Sequence, residues 1–138
     1  MVELTRFGIS LDKSLLRQFD EHIKKKHYTN RSKALADLIR KDLIKNEWQE
    51  NKTVCGVITL VYNHHKRELV NRLMDIQHDY HDNILSTQHL HLDEDNCLEI
   101  IAIKGKAKNI KELFGRFESS KGVKYAVFTE ATTGKEVV

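Results

Sequence analysis

Residues 87–100 read TQHLHLDEDNCLEI, with two histidines two apart, an acidic turn and one of the two cysteines of the chain. Imidazole and thiolate are ligands of borderline divalent metals, so His89, His91 and Cys97 are where chemistry is first sought. Side chains alternate along a strand, which sets His89 and His91 on one face and Leu90 and Leu92 on the other. In the next stretch Leu98, Ile100 and Ala102 share a face opposed to Cys97, Glu99 and Ile101. If the leucines of both strands lie on the core, His89, His91, Cys97 and Glu99 gather on the opposite face. That register needs an odd number of loop residues between paired positions. His78 is the best candidate for a fourth ligand, because it sits beside the apolar stripe of Leu69, Leu73 and Ile76 rather than within it. Six of the eight histidines fall between residues 64 and 91. Each taken singly reads as a solvated surface residue; the cysteine on the same expected face turns the reading to metal.

The elements that must position these residues follow from hydrophobic periodicity. VCGVITLVY is an apolar strand, and HKRELVNRLMDIQHDYHD a helix of about four turns. NILSTQHLHL and CLEIIAIKG form a hairpin through DEDN. NIKELFGRFESSKG is a helix with Ile110, Leu113, Phe114 and Phe117 inward, closed by Gly122, and GVKYAVFTEAT is a last strand. The order β-α-β-β-α-β is that of a ferredoxin-like (ACT-type) domain. One face of such a sheet packs on its helices and the other commonly packs on another subunit.

The first 48 residues read differently. Thr5, Phe7 and Ile9 alternate with Leu4, Arg6, Gly8 and Ser10 in a strand pattern. Ser10 or Asp12 caps a helix carrying Leu15, Leu16, Phe19 and Ile23; Thr29 or Asn30 caps another carrying Leu35, Leu38, Ile39 and Leu43. A strand and two helices are too few to bury a core, and the strand has no partner. Two copies solve both problems by pairing strands over four helices. The expected organisation is therefore residues 1–48 as one domain and 49–138 as a second, in an α+β chain.

The 138 residues carry a formal net charge of +3, and all of it lies in residues 1–50, with 11 Lys/Arg against 8 Asp/Glu. That placement suggests a polyanion partner for the first domain. No apolar run approaches the roughly 20 residues of a membrane helix and the N-terminus is no signal peptide, so a cytoplasmic protein is expected. In a reducing cytosol Cys55 and Cys97 are expected as thiols rather than a disulfide, with Cys55 a small buried hydrophobe.

The N-terminal order resembles the ribbon-helix-helix repressors of bacteria and archaea. That resemblance implies base reading in the DNA major groove from Arg6, Gly8 and Ser10. It also implies a phosphate anchored at the start of the second helix by Asn30, Arg31 and Ser32. Gly8 departs from the pattern, having no side chain to read a base, so Arg6 and Ser10 carry more of the specificity. The second domain closely resembles the nickel-responsive transcriptional regulators, through Gln77, His78, His81 and Asp82, then His89 and His91, then Cys97, Leu98 and Glu99. The resemblance spans nearly the whole chain, includes GVITLVYNHHKREL, and points to an archaeal member.

What the resemblance implies is a homotetramer, a dimer of dimers, that binds an operator with two half-sites and represses nickel-uptake genes. One Ni(II) per subunit is expected, four-coordinate and square-planar, held by His89, His91 and Cys97 of one subunit and His78 of another. Gln77 and Glu99 orient those ligands, and Lys66 and Arg67 touch the DNA backbone between half-sites. The family often has two acidic residues one turn apart on the second helix to hold an ion; here they are Lys33 and Asp37, and the lysine breaks the pattern. An amino-acid sensor would leave the four metal-capable residues idle. Four protein ligands also leave no open position for a substrate, so no enzyme is expected.

Overall fold

The computed structural model describes residues 2–138. They form two compact units, divided between Ile39 and Arg40. In the first unit α1 (Lys13–Lys25) starts at Asp12, whose carboxylate accepts the Ser14 and Leu15 amides. Helix α2 (Arg31–Gln49) starts after Asn30, whose side chain accepts the Lys33 amide at 2.8 Å. Satisfying those orphan N–H groups is why Asp and Asn stand at these positions. His27, in a left-handed conformation (φ 67°), turns the chain between the helices.

The strand expected over residues 4–10 is not formed within one chain: residues 2–12 lie in no helix or strand, with their side chains exposed. The physical reason is pairing. A strand is defined by a neighbour that accepts its hydrogen bonds, and among the described residues this segment has none.

In the second unit β1 (Thr53–Asn63), α3 (Arg67–Asp79), β2 (Ile84–His91), β3 (Asn96–Lys106), α4 (Ala107–Glu118) and β4 (Val123–Ala131) follow one another. The sheet order is β2-β3-β1-β4, antiparallel throughout. This is the ferredoxin-like arrangement expected from the element order. Helix α3 is shorter than its sequence pattern, because residues 64–66 form the loop before it and His81–Asn83 a separate 3-10 turn after it. Helix α4 is capped at Ser119, and Gly122 serves the turn into β4 instead, at φ +101° and with Leu69 packed so close that a Cβ would meet it at 3.0 Å.

Helices α3 and α4 cover one face of the sheet. Leu69, Leu73 and Ile76 from α3, and Ile110, Leu113 and Phe117 from α4, close over Val54, Ile58, Leu60, Ile101 and Ile103. The end of α2 joins this core through Trp48, 2% exposed, edge-on to Phe128 and donating its indole N–H to the Ala131 carbonyl at 3.1 Å. The other face of the sheet is left partly open, with Val57, Val61, Leu98 and Ile100 half-buried and Tyr125 58% exposed.

Candidate metal centre

The hairpin between β2 and β3 fixes the site. His91 stands opposite Cys97, Leu90 opposite Leu98, and His89 opposite Glu99, with five residues between His91 and Cys97. Asp93 holds the turn, accepting the amides of Asp95 and Asn96 at 2.9 and 2.7 Å and the Asn96 side chain besides. Those hydrogen bonds to the ionised form hold its carboxyl at about 2.

The grouping of His89, His91, Cys97 and Glu99 on one face is present, but it is the other face from the one expected. Cys97 and Glu99 alternate with Leu98 and Ile100, yet it is Cys97, Glu99, Ile101 and Ile103 that are buried under the helices. Leu90, Leu98 and Ile100 lie on the open face instead. The reason is physical: both rows are apolar, and the helices cover the isoleucine row, which continues beyond the leucines. The ligand candidates therefore sit at the rim of the core. β2 is an edge strand, so His89 and His91 remain exposed while Cys97, on a central strand, is fully buried.

Each candidate is already engaged. The His89 Nδ1 lies 3.5 Å from the Glu99 carboxylate, and the His91 ring stands edge-on to His64 with centroids 4.7 Å apart. The Cys97 thiol donates to the Tyr62 carbonyl at 3.4 Å, and burial pushes its pKa up. Glu99, 7% exposed, accepts the Gln77 amide at 2.6 Å on one oxygen and the Tyr62 hydroxyl at 2.9 Å on the other. His78 does not join them. It lies exposed in the last turn of α3, its ring 6.0 Å from that of His81. Among the described residues no three or more His, Cys, Asp and Glu side chains stand close enough together to hold a metal ion within one chain. Two imidazoles, a thiol and a supporting carboxylate on one face nonetheless make a donor set that suits a borderline divalent metal.

Two residues beside the site carried a sequence signal that went unread. Tyr62 continues the inward alternation of Ile58 and Leu60, and His64 follows, half-buried, in the turn after β1. The Nδ1 of His64 is buried and finds no hydrogen-bond partner among the described residues. Burial, and then the neighbouring imidazoles of His65, His91 and His89, lower its pKa. Cys55, expected to be buried, is a free thiol only partly covered on the open face.

The residues expected to meet DNA are all on the surface. Arg6, Gly8 and Ser10 lie on the exposed N-terminal segment, Asn30, Arg31 and Ser32 at the start of α2, and Lys66 and Arg67 at the start of α3. Arg31 forms a two-pronged pair with Asp20, both contacts at 2.8 Å. Lys33 meets Asp37 at 2.6 Å, and Tyr28 donates to the other Asp37 oxygen at 2.7 Å. At this position the chain supplies its own ammonium group.

Comparison with known proteins points to nickel and to a regulator family. Residues 55–130 match the family described as NikR C terminal nickel binding domain. A protein of Syntrophus aciditrophicus, provisionally named a nickel-responsive regulator, is 51% identical over 135 residues, covering 98% of each chain. Proteins of the same provisional name from Chlorobium phaeobacteroides and the archaeal Thermococcus onnurineus are 54% and 47% identical, covering 91% and 99% of this chain and 93% and 100% of theirs. An uncharacterized protein of Thermotoga maritima shares the fold alone, with TM-score 0.54 at 15% identity over 59% of this chain and the whole of its own. No helix among the described residues is long and apolar enough to cross a membrane. The chain belongs to the nickel-responsive regulators, a family of regulators rather than enzymes, and carries their nickel-binding domain.

Proposed function

We propose that this chain is a nickel-responsive transcriptional repressor of the cytoplasm, a homotetramer built as a dimer of dimers. Residues 1–48 form a ribbon-helix-helix DNA-binding domain, and residues 49–138 bind metal and assemble the tetramer through the open face of the sheet. The observation that carries the reading is the split of the donor set. His89, His91 and Cys97 share one face of the hairpin, while His78 of the same chain stands exposed in the last turn of α3 and does not join them. A second subunit supplies His78, so one Ni(II) per subunit joins two chains. When bound, nickel stabilises the assembly that holds it, by mass action.

The residues around the site act before and during that event. Glu99 orients His89, with Gln77 tying the carboxylate to α3 one residue from His78. Cys97 gives up its proton to bind as thiolate, releasing its hold on the Tyr62 carbonyl. At the other end of α3, Lys66 and Arg67 are exposed and meet the phosphate backbone between operator half-sites. In the first domain, residues 4–10 of two chains pair as a ribbon. Phe7 and Ile9, 72% and 53% exposed in one chain, then gain cover, while Arg6, Gly8 and Ser10 face the bases and Asn30, Arg31 and Ser32 a phosphate. Metal and DNA affinities then enhance each other reciprocally. The expected targets are nickel-uptake genes.

The test is operator binding at fixed salt with nickel, copper, zinc and no metal, for the wild type and His89→Ala. Nickel is expected to tighten binding by tenfold or more only in the wild type, a coupling of about 1.4 kcal/mol or more. Equal DNA affinity with and without nickel refutes the proposal.

A further inference from the structure

We infer that Tyr62 is a positioning residue of the metal centre, holding Glu99 in place beside Cys97 and acting on the metal through Glu99. The inference rests on the proposal that His89, His91 and Cys97 bind nickel, and it concerns a residue outside the set assigned above. Tyr62 is 2% exposed and sits opposite Cys97 where β1 pairs with β3. It reaches the site by three routes. Its hydroxyl donates to Glu99 Oε1 at 2.9 Å, its backbone carbonyl accepts the Cys97 thiol at 3.4 Å, and its ring stands edge-on to His89 with centroids 6.2 Å apart.

Glu99 has two oxygens to satisfy in a buried place. Gln77 takes Oε2 and Tyr62 takes Oε1, the same oxygen that lies 3.5 Å from His89 Nδ1. A carboxylate held at both oxygens cannot swing away, so it presents a fixed acceptor to His89. An imidazole that gives its Nδ1–H to such an acceptor keeps Nε2 free for a metal and keeps its ring orientation. The tyrosine hydroxyl suits this task because its O–H is a donor matched to a carboxylate oxygen that can only accept. Phenylalanine here keeps the packed ring and removes only the donor.

The experiment is a double-mutant cycle in the full chain, with wild type, Tyr62→Phe, Glu99→Gln and the double variant. Nickel affinity is read by competition with a chelator, the thiolate-to-nickel absorption band reports the centre, and far-UV dichroism and melting of the metal-free chains report the fold. Tyr62→Phe is expected to weaken nickel about 10–100-fold. It should also shift the absorption band while the metal-free fold is retained. The double variant is expected to lose no more than Glu99→Gln alone, because both changes cut one link. Unchanged nickel affinity in Tyr62→Phe, or losses that simply add, overturns the inference. A Cys97→Ala control separates the two readings: if that variant binds nickel like the wild type, the metal centre itself is misplaced.

Discussion

In residues 40–138 two helices close over a sheet, and Ile58, Leu60, Leu73, Ile101, Leu113 and Phe117 vanish from solvent. In residues 2–39 the buried apolar side chains are Ile23 and Ala34, while Phe7, Leu15, Leu38 and Ile39 are each more than half exposed. Both regions have regular apolar patterns, so composition is not the difference. A sheet with two crossover helices brings its own cover; a strand and two helices do not. The first region thus leaves most of its apolar side chains without cover of its own. The second is finished on its helix face and unfinished on the other, where Leu90, Leu98, Ile100 and Tyr125 lie partly open.

The sharpest way to break this comparison is to charge the open sheet face. Leu98→Asp is expected to abolish the tetramer and leave dimers with a folded second unit, as read by light scattering and circular dichroism. A tetramer that persists places the assembly face elsewhere. Next in size is Trp48→Ala, which empties a core site and orphans the Ala131 carbonyl that the indole satisfies. A loss of about 3–5 kcal/mol is expected in urea unfolding. A change under about 1 kcal/mol would mean that the end of α2 does not belong to the second core.

Acidity tests the buried side of the metal centre. The folded chain raises the Cys97 pKa, chiefly by burial. That contribution to metal-free stability is fully present below the ordinary thiol value of 9.0 and is lost as pH rises through the raised value. Nickel takes the thiolate and works in the opposite sense: its affinity is expected to rise with pH, by up to about tenfold per unit. Calorimetry in two buffers of different ionisation enthalpy should find a proton released, and zero release would remove Cys97 from the ligands.

The smallest effect belongs to the turn. Asp93, with its carboxyl at about 2, supports the hairpin above the ordinary value of 3.8 and loses that support as pH falls toward 2. Asp93→Ala is expected to speed amide exchange at Asp95 and Asn96 and leave the central strands unchanged. Exchange spreading along β3 would show the turn setting the register.

Much of this was legible from residues alone. The period-2 run from Val54 to Tyr62 and the helical stripe of Leu69, Leu73 and Ile76 named their elements, and the odd-membered turn after His91 put it opposite Cys97. The face was not legible, because alternation assigns residues to two sides without saying which side the helices will cover. His64 and Tyr62 were missed because their strand reads as plain core, and what they touch comes from strands and turns distant in sequence.

The sequence by itself therefore determined the element order of the second unit, the helix caps to within Ser10 or Asp12 and Thr29 or Asn30, and the grouping of His89, His91, Cys97 and Glu99 on one side of a hairpin. These follow from local periodicity and local hydrogen bonds. Only the tertiary structure decided that this side lies under α3 and α4, that Tyr62 and Gln77 hold Glu99, and that His78 stands exposed in the last turn of α3. Each of those facts depends on packing between elements far apart in the chain, and packing is set by which apolar surfaces meet, not by the pattern of any one of them.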